Sequence, residues 1–161
     1  MELTPDIEKL GFCLADMKDT DIDDFIRVDK MTLQKYIDEY TDFFGGGYKR
    51  EIGAASFRQK RKLTFFKKLL LKDEIVGFLN YDQRDDKIDN ISIRLIEKAQ
   101  RKGIGTLFIS HLIKISKEFC IPVYIEAIKT NPVQKLYKRS GFEFYKEEDI
   151  IYFFVYKPNI I

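Results

Sequence analysis

Seven consecutive residues, Gln100-Arg101-Lys102-Gly103-Ile104-Gly105-Thr106, combine two glycines, two bases and the start of an apolar run. The chemistry such a stretch supports is anion binding. Before it, residues 88–96 alternate with period two and put Ile91, Ile93 and Leu95 on one face, as a strand does. After it the spacing turns helical: Ile104, Leu107, Phe108, Leu112 and Ile115 form a stripe with His111 inside it. A strand, a Gly-rich turn and a helix aim backbone N–H groups and the positive end of a helix dipole at one point, the dipole alone contributing about 0.3–1 kcal/mol. Gly103 and Gly105 let a ligand approach the backbone with no Cβ in the way. Two nucleotide loops are excluded. A P-loop needs Lys then Ser or Thr after its second glycine, where Thr106-Leu107 stand, and a dinucleotide loop needs a third glycine where Phe108 stands.

The elements that must position this loop follow from the rest of the pattern. Gly11 to Ala15 reads as a first strand, and Thr20 or Asp21 can cap a helix with the stripe Ile22, Phe25, Ile26. A second helical pattern, Leu33, Tyr36, Ile37, Tyr40, ends near Gly45-Gly46-Gly47, and a third, Tyr48, Ile52, Ala55, ends in Arg58, Lys60, Arg61, Lys62. Leu63–Leu71 and Glu74–Tyr81 form a hairpin through Lys72-Asp73. A turn at Gln83–Asp86 leads into 88–96, the loop and a helix to about Phe119. Val123–Ile128 is then a strand parallel to 88–96, since strand, helix and strand make a crossover. Asn131-Pro132, an N-cap and first-turn pair, opens a short helix from Val133 to Arg139 that stops at Gly141. Phe142–Lys146 and Ile150–Lys157 close the chain as an antiparallel pair. The expectation is α+β (mixed α/β): a central, mostly antiparallel mixed sheet of about seven strands with one parallel βαβ unit, about four helices, and a single domain over 1–161.

With 161 residues, 45% of them hydrophobic and 34% charged, the chain reads as one ordinary globular protein of the cytoplasm. No apolar run approaches the ~20 residues that span a bilayer. Cys13 and Cys120 lack metal-ligand spacing, so no metal is expected, and they read as two free, buried thiols. Charge is uneven. Residues 1–42 hold twelve Asp and Glu against five Lys and Arg, a balance of −7, which leaves 23 basic against 14 acidic, or +9, in residues 43–161.

Gln100 to Gly105 fits the pattern Gln/Arg-x-x-Gly-x-Gly/Ala, and Asn131 to Phe142 fits Asn-Pro-x-x-x-Leu-Tyr-x-x-x-Gly-Phe. In this order, separated by a helix and a strand, the two stretches resemble the acetyl-CoA loop and a later motif of the GNAT N-acetyltransferases. The resemblance runs over roughly residues 63–157 in element order and more loosely over the N-terminal helices. It implies a GNAT-like fold, acetyl-CoA as donor, and direct attack of a primary amine on the thioester. Backbone N–H groups from Arg101 to Thr106, Ile104 among them, would hold the CoA pyrophosphate, with Gln100 opening the motif and Arg101 and Lys102 adding charge. A backbone N–H at Leu95 or Ile96 would stabilise the thioester oxyanion. Asn131 would contact CoA as well as cap its helix.

Tyr137 is the residue that the resemblance makes the general acid, since a phenol near pKa ~10 can donate to a thiolate whose acid is near ~8.5. The general base stays open between Asp89, eleven residues before Gln100 and close to where some relatives place a glutamate, and Glu126. His111 reads as a packed or rim histidine. Glu97 stands where many relatives carry proline, and the chain has no tryptophan, a common wall of the acceptor site. Because the N-terminal helices wall that site in the family, their charge of −7 implies a cationic acceptor: a polyamine, an aminoglycoside-like amine, or a peptide amine. The family often dimerises, so a homodimer is compatible. A non-catalytic acyl-CoA sensor or interaction module is the alternative. Nucleic-acid binding through Arg58, Lys60, Arg61, Lys62, Lys67 and Lys68 lacks a motif and ranks low.

Overall fold

Ile75 to Tyr81 is an unbroken run of buried residues, and it forms the middle of strand β3 (Glu74–Gln83). A strand buried at consecutive positions has both faces covered. The computed structural model, which describes residues 1–159, builds a mixed α/β fold around it. The other elements are α1 (Pro5–Lys9), β1 (Phe12–Asp16), α2 (Ile22–Glu39), α3 (Arg50–Lys60), β2 (Phe65–Leu71), β4 (Ile88–Leu95), α4 (Ile104–Phe119), β5 (Val123–Ile128), α5 (Gln134–Arg139), β6 (Glu143–Glu148) and β7 (Ile151–Tyr156). Among the described residues the seven strands lie in the order β1-β2-β3-β4-β5-β7-β6. β1 with β2, β5 with β7, and β6 with β7 are antiparallel, whereas β4 and β5 are parallel, as the expected crossover requires. That parallel ladder holds one residue pair, Ile88 with Val123, beside which the Ile88 N–H donates to the Pro122 carbonyl at 2.9 Å.

Contacts divide the chain into two compact units, residues 2–80 with 92–104, and Met1 with 81–91 and 105–161. In the first, Phe25 of α2, Phe57 of α3, Phe66 of β2 and Phe78 of β3 form a cluster with ring centroids 4.5 to 6.0 Å apart. Such offset and edge-on pairs add roughly 0.5–1.5 kcal/mol each beyond the area they bury. α2 is one helix of 18 residues where the sequence pattern suggests two; its buried face runs unbroken from Phe25 and Ile26 to Tyr36 and Ile37. α1 is an element that the pattern does not announce, although Pro5 stands in its first turn and the Ile7 N–H donates to the Thr4 side chain, which caps it.

Acids of the N-terminal segment are matched within this unit. Lys67 pairs with Asp16 across the β1–β2 register, Arg61 with Asp19, Lys68 with Asp21, and Arg50 with Asp23. Only the Lys68–Asp21 pair is substantially buried, at 12% and 13% side-chain exposure. Burial pushes the Asp21 carboxyl up, but the Lys68 ammonium and the Lys18 N–H outweigh it and hold the group below its ordinary range.

In the second unit α4 lays Phe108, Ile109, Leu112 and Ile115 into a core that takes Val123, Ile125 and Ala127 from β5 and Phe154 from β7. Both cysteines are exposed rather than buried. Cys13 lies on the edge strand β1, next to the inward-facing Phe12, and Cys120 sits in the left-handed region (φ 54°) just past α4, turned out of the core.

β4 approaches β3 so closely that a Cβ on Gly77 would lie 2.6 Å from the Arg94 carbonyl oxygen and 2.8 Å from Leu95 Cδ2. The nearest obstacle is backbone and has no rotamer to change. Gly77→Ala should therefore destabilise the protein by about 1–3 kcal/mol in urea unfolding; a midpoint equal to wild type would mean that the two strands sit further apart.

Candidate active site

The first unit carries the end of β4 and the loop that leaves it. The Ile96 N–H donates to the Val76 carbonyl at 3.0 Å, so this amide is consumed by β3. Successive strand amides point to opposite sides, which turns the Leu95 N–H away from β3. Of the two amides expected to polarise a carbonyl, that of Ile96 is the one bonded within the sheet, and that of Leu95 is the one turned away from β3. The Gln100 side-chain amide donates to the Leu95 carbonyl at 2.9 Å, so the first residue of the loop motif ties the loop to the strand end. At Glu97, where relatives carry proline, the chain leaves the sheet through a one-turn 3-10 helix, Glu97–Ala99, pinned by the buried Ala99.

Arg101 and Gly103 both adopt left-handed backbone (φ 58° and 83°), with the exposed Lys102 between them. Changes of hand within a short loop can aim neighbouring N–H groups at one side, as an anion nest does. A Cβ on Gly103 would meet nothing within 4 Å, so the site is open, and the φ alone favours glycine there. Two exposed bases, a nest and the start of α4 at the buried Ile104 together fit a diphosphate.

The second unit carries Gly105, Thr106 and the Asn131–Phe142 stretch. A Cβ on Gly105 would be in ordinary contact with Leu136 at 3.6 Å, so the first turn of α4 lies over α5, and Thr106 is exposed beside it. The Val133 N–H donates to Asn131 Oδ1 at 2.9 Å, closing a turn before α5, and the Gln134 side chain donates to the Ile128 and Lys129 carbonyls. Tyr137 is 4% exposed, its ring 6.0 Å from that of Phe142 and 5.7 Å from that of Phe154. Gly141 ends the helix in left-handed backbone (φ 96°), and the Phe142 N–H returns to the Tyr137 carbonyl.

The two carboxylates proposed as bases differ. Asp89 Oδ1 accepts from Arg84 at 3.0 Å and from Asn90 at 3.2 Å, while Oδ2 pairs with Lys87 at 3.3 Å. Left-handed Asn90 (φ 52°) breaks the alternation of β4 just after it. Glu126 is exposed on β5, opposite Phe153 on β7, and its charge reaches Tyr145, whose phenol is pushed up first by burial and then by Tyr124 and Glu126. His111 is half-buried, with Nε2 3.1 Å from the Tyr81 hydroxyl. Burial, then the N-terminal ammonium and Lys114, depress it from 6.5 to about 4, so the ring is neutral near pH 7 and a weak proton acceptor.

One cluster of the first unit was not anticipated. The Tyr48 hydroxyl donates to Asp29 Oδ2 at 2.9 Å, and a Cβ on Gly53 would lie 2.1 Å from that hydroxyl oxygen. Burial pushes up the phenols of both Tyr48 and Tyr36, and both feel the charge of Arg94 on β4. The available signals were an acid among the apolar residues of α2, Asp29 beside Phe25, Ile26 and Val28, and a lone glycine inside α3. Among the described residues no group of three or more His, Cys, Asp or Glu could hold a metal ion, and no helix is long and apolar enough to cross a membrane.

A family model described as acetyltransferase (GNAT) family matches residues 31–142. No curated protein matches the chain. Among solved structures, a protein of Pyrococcus horikoshii superposes with a TM-score of 0.71 at 19% identity, covering 92% of this chain and 99% of that one. The PaiA N-acetyltransferase of Thermoplasma acidophilum, solved in complex with coenzyme A, gives 0.67 at 16%, covering 91% and 98%. An acetyltransferase of Thermus thermophilus gives 0.65 at 17%, covering 92% and 97%. At these identities the likeness is one of fold.

The depressed His111 makes stability depend on pH. Its folded pKa of about 4 lies below the unfolded 6.5, so the unfolded chain binds the extra proton between those values. The contribution should be complete above pH 6.5 and be lost as pH falls toward 4. With allowance for solvent at a half-buried ring it should amount to about 1–2 kcal/mol. Urea midpoints across pH 4–7, compared with His111→Gln, check this: the variant should lose that part of the slope, and parallel profiles would contradict it.

Proposed function

The chain belongs to the acetyltransferase (GNAT) family, and we propose that it transfers an acetyl group from acetyl-CoA to a primary amine of a small molecule or peptide, in the cytoplasm, by direct attack on the thioester. The observation that carries this reading is the division of labour at the end of β4: the Ile96 amide is bonded to Val76, the Leu95 amide is turned the other way, and the nest at Arg101–Gly103 follows. Acetyl-CoA supplies a thioester of high transfer potential. Leu95 offers its N–H to the oxygen on which charge develops. The backbone from Arg101 to Thr106 holds the pyrophosphate, Arg101 and Lys102 add charge, and Gln100 keeps the loop attached to the strand.

Glu126 takes the proton from the acceptor ammonium, because Asp89 already has Arg84, Lys87 and Asn90 on its oxygens. Tyr137 donates to the departing thiolate from a ring that Phe142 and Phe154 hold in place. The acceptor is cationic at its amine. Of the twelve acids of the N-terminal segment, Asp16, Asp19, Asp21 and Asp23 are paired with bases of the same unit and add less to that preference than the sequence count implies.

The second reading, a CoA-binding module without turnover, draws on the burial of Tyr137. CoA release in the presence of an amine panel separates the two. With turnover, Tyr137→Phe should lower kcat by about 10²–10⁴-fold while CoA affinity stays within about twofold. Glu126→Gln should cost more than Asp89→Asn, and its deficit should shrink at high pH, where the amine is already neutral. Thermal stabilisation by CoA with no release from any amine, and indifference to Tyr137→Phe, would favour the module.

A further inference from the structure

Five bases of the first unit are half-buried: Arg27, Lys60, Lys67, Lys68 and Arg94. Arg27 pairs with Asp24 and also donates to the Ile75 carbonyl, Lys67 pairs with Asp16, Lys68 pairs with Asp21, and Lys60 donates to Ser92 Oγ at 3.2 Å. Among the described residues Arg94 alone of the five has neither a hydrogen bond nor an ion pair. An arginine does not escape burial by losing its proton, so an unmatched, partly desolvated guanidinium is a standing cost.

The surroundings of Arg94 do not supply the missing anion. Tyr36 and Tyr48 lie within its electrostatic reach, but burial keeps both phenols neutral. The carboxylate Asp29 accepts the Tyr48 hydroxyl, and Glu39, whose charge reaches Tyr36, is exposed at the end of α2. On β4, Arg94 shares a face with Ser92, two residues away, and Ser92 holds the Lys60 ammonium. Two cations thus lie along one strand face, Arg94 on it and Lys60 held to Ser92. Arg94 also directly precedes Leu95, whose amide serves the acetyl group on the reading above.

We propose that the acceptor amine carries an anionic group, a carboxylate or a phosphate, and that Arg94 receives it through a charge-assisted, two-pronged hydrogen bond, with Lys60 adding to the positive field. This rests on the acetyltransferase reading for the fate of the amine, though not for the binding of the anion. Arg94 is then a specificity residue: it holds the acceptor and takes no part in proton transfer. The geometry suits planar carboxylates and tetrahedral phosphates alike, since the fork of the guanidinium matches two oxygens of either.

The test uses the full chain and matched probes: O-phosphoethanolamine against ethanolamine, glutamate against glutamine, and spermidine as a polycation. CoA release gives kcat and KM, and calorimetry gives binding without turnover. The anionic member of at least one pair should be preferred, with phosphate and carboxylate sources separated by which pair responds. Arg94→Gln should raise KM for that member about 10–100-fold, leave kcat within about threefold, and leave the neutral partner unchanged. Arg94→Gln and Arg94→Met should melt no lower than wild type, because the charge they remove has no partner; a merely structural arginine would lower Tm and affect all amines equally. Binding of an anionic amine that Arg94→Gln abolishes, without acetylation, would sustain this proposal and overturn the acetyltransferase reading. Turnover of spermidine or ethanolamine in preference to the anionic probes, indifferent to Arg94→Gln, would overturn this proposal and leave that reading. Neither binding nor turnover of any anionic amine overturns it as well.

Discussion

The bond from the Ile96 N–H to the Val76 carbonyl is the constraint on which the site depends. It fixes the register of the last residues of β4 against β3, and Gly77 permits the approach by having no side chain to set against the Arg94 carbonyl. Once the Ile96 amide is committed, strand geometry sends the Leu95 amide the other way, as the proposed thioester contact requires. The chain cannot simply continue as strand, because the Gln100 amide caps the Leu95 carbonyl and the 3-10 turn redirects the backbone into the left-handed loop. Strand end, nest and helix start are therefore one continuous device, built from backbone groups whose directions are dictated by neighbours.

Charge in this chain acts locally. Blocks of opposite sign along the sequence look like two surfaces for different ligands. Folding sets them against each other, Asp16 beside Lys67 and Asp21 beside Lys68, and most of the pairs are exposed enough to contribute no more than about 1 kcal/mol each. What such pairing does is offset the charge of five of the twelve N-terminal acids, Asp16, Asp19, Asp21, Asp23 and Asp24. On the proposal above, the charge that selects the acceptor is a half-buried guanidinium on β4 rather than the net of forty residues.

Much of the fold was legible because it is periodic. The alternation in 88–96, the stripe from Ile104 to Ile115 and the Gly-rich turn between them gave strand, helix and loop, and the order of elements gave the single parallel pair. The glycine-containing loop and the Asn131–Phe142 stretch also marked the family, since both combine fixed residue types with fixed spacing. Side-chain partners were not legible, because they depend on how turns and packing orient the side chains, whether the partner is two residues away, as Lys87 is from Asp89, or nineteen, as Tyr48 is from Asp29. Nothing local announces that Arg84 and Lys87 occupy Asp89, that Gln100 turns back onto Leu95, or that Tyr48 reaches Asp29 over the bare backbone of Gly53. The exposed cysteines belong to the same class: residue type favours burial, but an edge strand and a helix end decided otherwise.

Residue-resolved amide hydrogen exchange, with and without saturating acetyl-CoA, tests the central claim most directly, because the claim concerns backbone N–H groups. Exchange should slow at Leu95 and across residues 101–106 when acetyl-CoA is added, while Ile96, held by Val76, is protected in both states. Unchanged exchange at Leu95 and in the loop, or protection confined to other elements, would contradict the account.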